Sequence, residues 1–98
     1  MGKVIFTISY DVVPEKRDEY LALAGEMKAH LAEKHGKNYS VFELKGKKNS
    51  FSEIFVCNSM EEYDQLEDQD EQMSDYISRL ESFLGESKMK YTTLIEIE

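Results

Sequence analysis

Val4-Ile5-Phe6-Thr7-Ile8-Ser9-Tyr10, followed by Asp11-Val12-Val13-Pro14 and then Glu15-Lys16-Arg17-Asp18-Glu19-Tyr20, is the stretch from which the fold is read. The first seven residues alternate: Val4, Phe6, Ile8 and Tyr10 form one apolar face, while Ile5, Thr7 and Ser9 form a mixed one, the period-two pattern of a strand over about Lys3 to Tyr10. Pro14 suits the first turn of a helix, where its missing N–H costs nothing, and Glu15, Asp18 and Glu19 suit the positive end of the helix dipole. Tyr20, Leu23, Ala24, Met27 and Leu31 then fall on a single helical stripe. His35 and Gly36 carry the signature of a helix stop.

Working outward, a second strand is expected over about Tyr39 to Lys45 and a third over about Phe51 to Cys57. The polar turn Gly46-Lys47-Lys48-Asn49 between them makes an antiparallel hairpin. The contiguous Ile54-Phe55-Val56 predicts a strand buried on both faces. Ser59 and Glu62 form a capping box opening a second helical region whose stripe starts with Met60, Tyr63 and Leu66. Glu67-Asp68-Gln69-Asp70-Glu71-Gln72 has no apolar residue and predicts a break. The stripe resumes at Met73, Tyr76, Ile77, Leu80 and Leu84 and closes at Gly85. A fourth strand is expected over about Met89 to Ile97, with Lys90 and Glu96 blunting its edge.

The order β-α-β-β-α-β is the ferredoxin-like plan, an α+β class, and residues 1–98 read as one domain with a four-stranded antiparallel sheet. The right-handed crossover rule puts both helices on one face and strands one and three in the centre. With hairpin pairing symmetric about roughly Lys48, Phe42, Leu44, Ile54 and Val56 share one face, and Tyr39, Val41, Glu43, Phe51, Glu53, Phe55 and Cys57 share the other. The purely apolar set, joined by Val4, Phe6 and Ile8, is the expected floor for the helices. The second face, with Ile5, Tyr39, Val41, Phe51 and Phe55, then holds too much apolar surface for water. A second copy packed sheet on sheet is the expected cover, giving a homodimer with a partly polar interior.

The formal net charge of −8 on 98 residues argues against nucleic acid and anionic membrane as partners. One cysteine permits no internal disulfide, and neither a signal-peptide pattern nor an apolar run of membrane-spanning length is read in the chain, so a cytoplasmic location is expected.

The run Val12-Val13-Pro14-Glu15-Lys16-Arg17-Asp18-Glu19-Tyr20 after a first strand resembles the dimeric α/β-barrel superfamily, which includes the antibiotic-biosynthesis-monooxygenase-like proteins. So does Ser59-Met60-Glu61-Glu62-Tyr63-Asp64 followed by an acidic gap and the helix Tyr76-Ile77-Ser78-Arg79-Leu80-Glu81-Ser82-Phe83-Leu84. The resemblance implies a ferredoxin-like protomer, a two-fold dimer and a cavity between sheet and helices or within the barrel. Its enzymes include cofactor-free oxygenases of aromatic polyketides and haem-degrading oxygenases. The haem-degrading members use an Asn on the first strand, a Trp near the third and a His on the second helix. Here Thr7 or Ser9 takes the first place, Trp is absent, and no His lies between Ser59 and Gly85, so haem degradation is not expected.

Candidate chemistry centres on Glu43 and Glu53, opposite neighbours in the expected register. Two like charges placed so require one protonated carboxyl or outside partners, so the pair is either an acid–base site in a cavity or lies near the hairpin mouth, solvated or paired with Lys45 or Lys47. His30, flanking the first helical stripe, faces a cavity or marks the border of the core. Tyr39, Tyr91, Tyr10, Thr7 and Ser9 offer hydroxyls to a ligand or serve as ordinary strand residues. No metal site is read: the histidines lack supporting ligands, and Asp68-x-Asp70 fails as a calcium loop because Met73 and Arg79 replace the required Gly and Glu. No cofactor is expected, as the resemblance to the cofactor-free oxygenases implies, and no glycine-rich phosphate loop is read in the chain. Two functions stay open: binding of a small apolar or aromatic molecule with cofactor-independent monooxygenase chemistry, or a non-catalytic ligand-binding or protein-interaction dimer.

Overall fold

The structure is a computed structural model and describes residues 2–35, 39–65 and 71–97. Its elements are β1 (Val4–Asp11), a 3₁₀ turn (Pro14–Lys16), α1 (Arg17–His35), β2 (Tyr39–Glu43), β3 (Ser50–Cys57), α2 (Met60–Gln65), α3 (Glu71–Glu81) and β4 (Lys90–Ile95). The four strands form one antiparallel sheet in the order β2-β3-β1-β4, with the first and third strands central as expected.

Pro14 opens a 3₁₀ turn, closed by the Lys16 N–H on the Val13 carbonyl at 2.9 Å, and the α-helix proper starts at Arg17. Tyr20, Leu23, Met27 and Leu31 of α1 are buried, as the stripe predicted. Ser59 caps α2 through the Glu62 N–H at 3.3 Å, while the Glu62 carboxylate accepts from the Asn58 N–H. The box is therefore closed one residue earlier than its usual form. Helices α2 and α3 flank 66–70. The expected break across the acidic run, Leu66 and the Gly36 stop lie outside the described residues, Glu71 and Gln72 excepted, which belong to α3. β4 is shorter than expected, although the Glu96 N–H still reaches the Lys3 carbonyl at 2.9 Å.

The face assignment is corrected. β1 pairs Val4 with Cys57, Phe6 with Phe55, Ile8 with Glu53 and Tyr10 with Phe51, so even residues of β1 share a face with odd residues of β3 and, through Tyr39↔Phe55 and Val41↔Glu53, of β2. The helices cover that face. Tyr39, Phe51 and Phe55, expected on the open side, lie beneath them at 4%, 3% and 8% exposure. Phe42, Leu44, Ile54 and Val56, expected beneath, are not: Phe42 and Leu44 are exposed, and Ile54 and Val56 are half-buried. The reason is area: Tyr39, Val41, Phe51, Phe55 and Cys57 together offer more apolar surface than Phe42, Leu44, Ile54 and Val56, provided the one acid among them finds partners.

The hairpin register is corrected too. Glu43 lies opposite Phe51 and Glu53 opposite Val41, two residues from the expected pairing. The turn accounts for this. The Leu44 N–H donates to the Ser50 carbonyl at 2.8 Å, and Gly46 (φ +90°) and Asn49 (φ +70°) take up the left-handed geometry within it.

Candidate functional site

Glu53 is 2% exposed on the central strand β3, under the helices. A buried carboxyl needs a hydrogen-bond partner on each oxygen, and it has them. Tyr39 on β2 donates to Oε1 at 2.7 Å, and Tyr10 on β1 donates to Oε2 at 2.7 Å. The Tyr20 hydroxyl of α1 lies 2.7 Å from that of Tyr10. Tyr10 has one proton, committed to Glu53, so Tyr20 donates to Tyr10 and the three phenols form a chain ending on the carboxylate.

Two forces act on this acid. Burial pushes the Glu53 carboxyl above the usual range, against the Tyr39 and Tyr10 hydrogen bonds that favour the anion. Burial foremost, then the Glu53 charge, push the phenols of Tyr10 and Tyr39 up; burial also raises that of Tyr20. The phenols therefore stay protonated and the titrating member is Glu53. When it takes a proton it becomes a donor, and a phenol must turn to accept: the network has two hydrogen-bond directions, selected by one proton.

The acid lies at a seam in the core. Tyr10, Tyr20, Leu23, Phe51 and Leu80 belong to one apolar cluster, and Leu31, Tyr39 and Phe55 to another. Ile8 and Val41, the residues paired with Glu53 on either side, touch both clusters and are only partly buried. Beyond Ile8 the same cross-strand row continues to Tyr91, about 10 Å from Glu53 at the usual strand spacing. All of β4 is exposed, so the helix-side face is uncovered there. Phe6 stacks on Tyr91 (centroids 6.1 Å apart) and meets Tyr63 edge-on (5.9 Å), whose hydroxyl lies 3.1 Å from Thr93 Oγ1. The result is an aromatic strip, half-buried at Phe6 and Tyr63 and open to solvent at Tyr91, on the sheet face that holds the buried acid.

The remaining candidates lie elsewhere. Glu43 is at the hairpin rim, bound by Arg17 through both guanidinium nitrogens at 2.6 and 3.0 Å and by the Asn49 N–H at 2.8 Å. The Arg17 hydrogen bond, with that from the Asn49 backbone, holds its carboxyl down to about 2. Glu43 and Glu53 thus titrate in opposite directions and do not form a pair. Thr7 and Ser9 are on the open face of the sheet, where Thr7 donates to the Thr92 carbonyl at 3.4 Å and Ser9 lies 2.8 Å from the Ser52 hydroxyl. His30 is half-buried with its ring edge-on to Tyr76 at 5.6 Å. Of the seven candidates, Tyr39 and Glu53 are in contact and Tyr91 shares their face. Sequence reasoning missed Tyr20, which it read only as part of the stripe. The signal was present: a hydroxyl in a buried stripe requires a partner.

No family model matches the sequence, and no curated protein matches it. Solved structures do. A conserved protein of Methanosarcina mazei Go1 superposes with a TM-score of 0.82 at 15% identity, covering 96% of this chain and 92% of its own. A Caulobacter crescentus CB15 protein, provisionally assigned as an antibiotic biosynthesis monooxygenase, gives 0.77 at 12% identity over 99% and 92%. The chain shares the ferredoxin-like fold of these structures. A NIPSNAP family protein of Agrobacterium tumefaciens C58 shares it too, with a TM-score of 0.69 at 18% identity over 98% and 87%. The resemblance read in the sequence is to this group, and at these identities the likeness is one of fold.

Proposed function

We propose that the chain acts as a two-fold dimer that binds a small, mostly apolar or aromatic molecule on the strip formed by Phe6, Tyr63, Tyr91 and Thr93, and uses Glu53 as the proton acceptor of a cofactor-independent oxygenase. The observation that carries this reading is a carboxyl buried among three phenols, on the same sheet face as an aromatic strip whose Tyr91 end is exposed. A phenolic ligand stacked there loses its proton to the network through a tyrosine. The electron-rich phenolate then reduces dioxygen: a ring C–H becomes a quinone carbonyl, one oxygen atom entering the product and the other leaving as water. General acid–base help of this kind is worth about 10²–10⁴ in rate.

The dimer is supported by the open face of the sheet, where Ile5, Ile54 and Val56 are half-buried and Phe42 and Leu94 are 54% and 53% exposed. A second copy is the economical cover. Both oxygens of Glu53 are already satisfied, and this favours the alternative, a non-catalytic binding dimer in which the network only shapes the core.

Oxygen uptake in the presence of one- to three-ring phenols tests both. The oxygenase reading expects uptake with a quinone product, falling at least tenfold in Glu53→Gln while phenol affinity changes little. Binding without uptake leaves the non-catalytic reading, and no binding to any phenol overturns the site. In light scattering, a wild-type dimer that Leu94→Lys converts to a monomer supports the sheet-face interface, and a wild-type monomer removes it.

A further inference from the structure

At the hairpin end of the sheet, on the side away from Glu53, a groove of about 300 Å³ opens between the end of β1, the start of β3 and the segment leading into β4. Lys47, Lys88 and Lys90 line it, three cations against the single acid Asp11, in a chain whose net charge is −8. Asp11 has a partner on each oxygen. Ser50 Oγ donates to its Oδ1 at 2.5 Å, and Lys47 Nζ lies 3.5 Å from its Oδ2. Among the described residues, Lys88 and Lys90 make no ion pair.

The hydroxyls in the groove point the same way. Ser9 and Ser52 are 2.8 Å apart and hydrogen-bond to each other, which uses one of their two protons and leaves the other without an acceptor among the described residues. Ser87 accepts from the Asp11 N–H at 3.1 Å and likewise retains a free proton. Two spare hydroxyl donors and two ammonium groups without a short ion pair thus line a groove whose one carboxylate is already held by Ser50 and Lys47 and also feels the charge of Lys90. A site rich in donors and poor in acceptors is complementary to anionic oxygen. Leu44, 58% exposed at its rim, supplies an apolar wall.

We propose that this groove binds a small organic oxyanion, a carboxylate or phosphate monoester whose apolar part rests on Leu44. Lys88 and Lys90 neutralise the charge, and the Ser9–Ser52 pair and Ser87 donate to its oxygens. The site is separate from the Glu53 network and does not depend on its chemistry; it lies on the open sheet face, at the hairpin end of the patch of Ile5, Ile54, Val56 and Leu94 proposed to meet a second copy.

The test is an amide-resolved NMR titration of the full chain with phenyl phosphate, benzoate and inorganic phosphate. Saturable shifts confined to Ser9, Ser52 and Ser87 to Lys90 are expected. At least a tenfold loss of affinity is expected in Lys88→Gln/Lys90→Gln, with none in Lys3→Gln/Lys28→Gln. Phenyl phosphate outbinding benzoate identifies a phosphate head, and the reverse a carboxylate. Either organic anion should exceed inorganic phosphate if Leu44 contributes. Shifts that never saturate, that follow every lysine alike, or that persist at full strength in the double variant overturn the proposal.

Discussion

The Tyr39 hydroxyl donates to Glu53 Oε1 at 2.7 Å from the neighbouring strand, one register pair along the same sheet face. That diagonal contact, with its counterpart from Tyr10, is what lets an acid occupy the centre of the core.

Tyr39→Phe should therefore destabilise the protein by about 1–3 kcal/mol, the cost of leaving a buried acceptor without its donor. Tyr91→Phe removes a hydroxyl whose acceptor is the Met89 sulfur, from a side chain 62% exposed, and should stay within about 0.5 kcal/mol. Urea denaturation of the two variants checks the contrast. Equal costs would mean that the Glu53 network does not hold the core together.

The pH dependence of stability carries the sign of each acid. Burial raises the Glu53 carboxyl in the folded state above its ordinary 4.5. The folded chain then holds this proton more tightly than the unfolded one, and its contribution is complete below about pH 4.5 and lost as pH rises through the folded value. Glu53→Gln mimics the protonated acid and should lose nothing on that limb. Its stability relative to wild type should grow as pH rises above about 4.5, read from urea midpoints at each pH; parallel curves would show an unshifted carboxyl.

Glu43 has the opposite sign. Its carboxyl is held down to about 2 by Arg17 and the Asn49 N–H, so its contribution is present above its ordinary 4.5 and disappears as pH falls toward 2. Glu43→Gln should flatten the acid limb and speed hydrogen exchange at Asn49, whose N–H it accepts and whose φ of +70° the clamp maintains. An unchanged acid limb would count against the clamp.

Gly85 and Gly46 both have positive φ, at +60° and +90°, but their surroundings differ. A Cβ on Gly85 would lie 2.8 Å from Val13 Cγ1, whereas at Gly46 nothing lies within 4 Å. Gly85→Ala should cost roughly 1 kcal/mol or more and exceed Gly46→Ala, because it adds a clash to the backbone strain. Melting temperatures of the two variants test the ranking.

Much of the fold is legible in the chain because strand and helix periods are local properties. The alternation over Val4 to Tyr10, the stripe Tyr20-Leu23-Met27-Leu31 and the Ser59 cap each follow from near neighbours, and the crossover rule does the rest. The candidate site was legible only in part. Glu53 and Tyr39 stand out as polar groups on an apolar strand, yet their meeting depends on how β1, β2 and β3 align. A shift of two residues in the hairpin separates Glu43 from Glu53, and the β1–β3 register turns the odd residues toward the helices. Composition predicted the opposite face, since an acid counts against burial when its partners are unknown. Three phenols from β1, β2 and α1 reverse that balance, and they converge only when the chain is folded, because hydrogen-bond satisfaction of a buried charge is set by distances between segments remote in sequence.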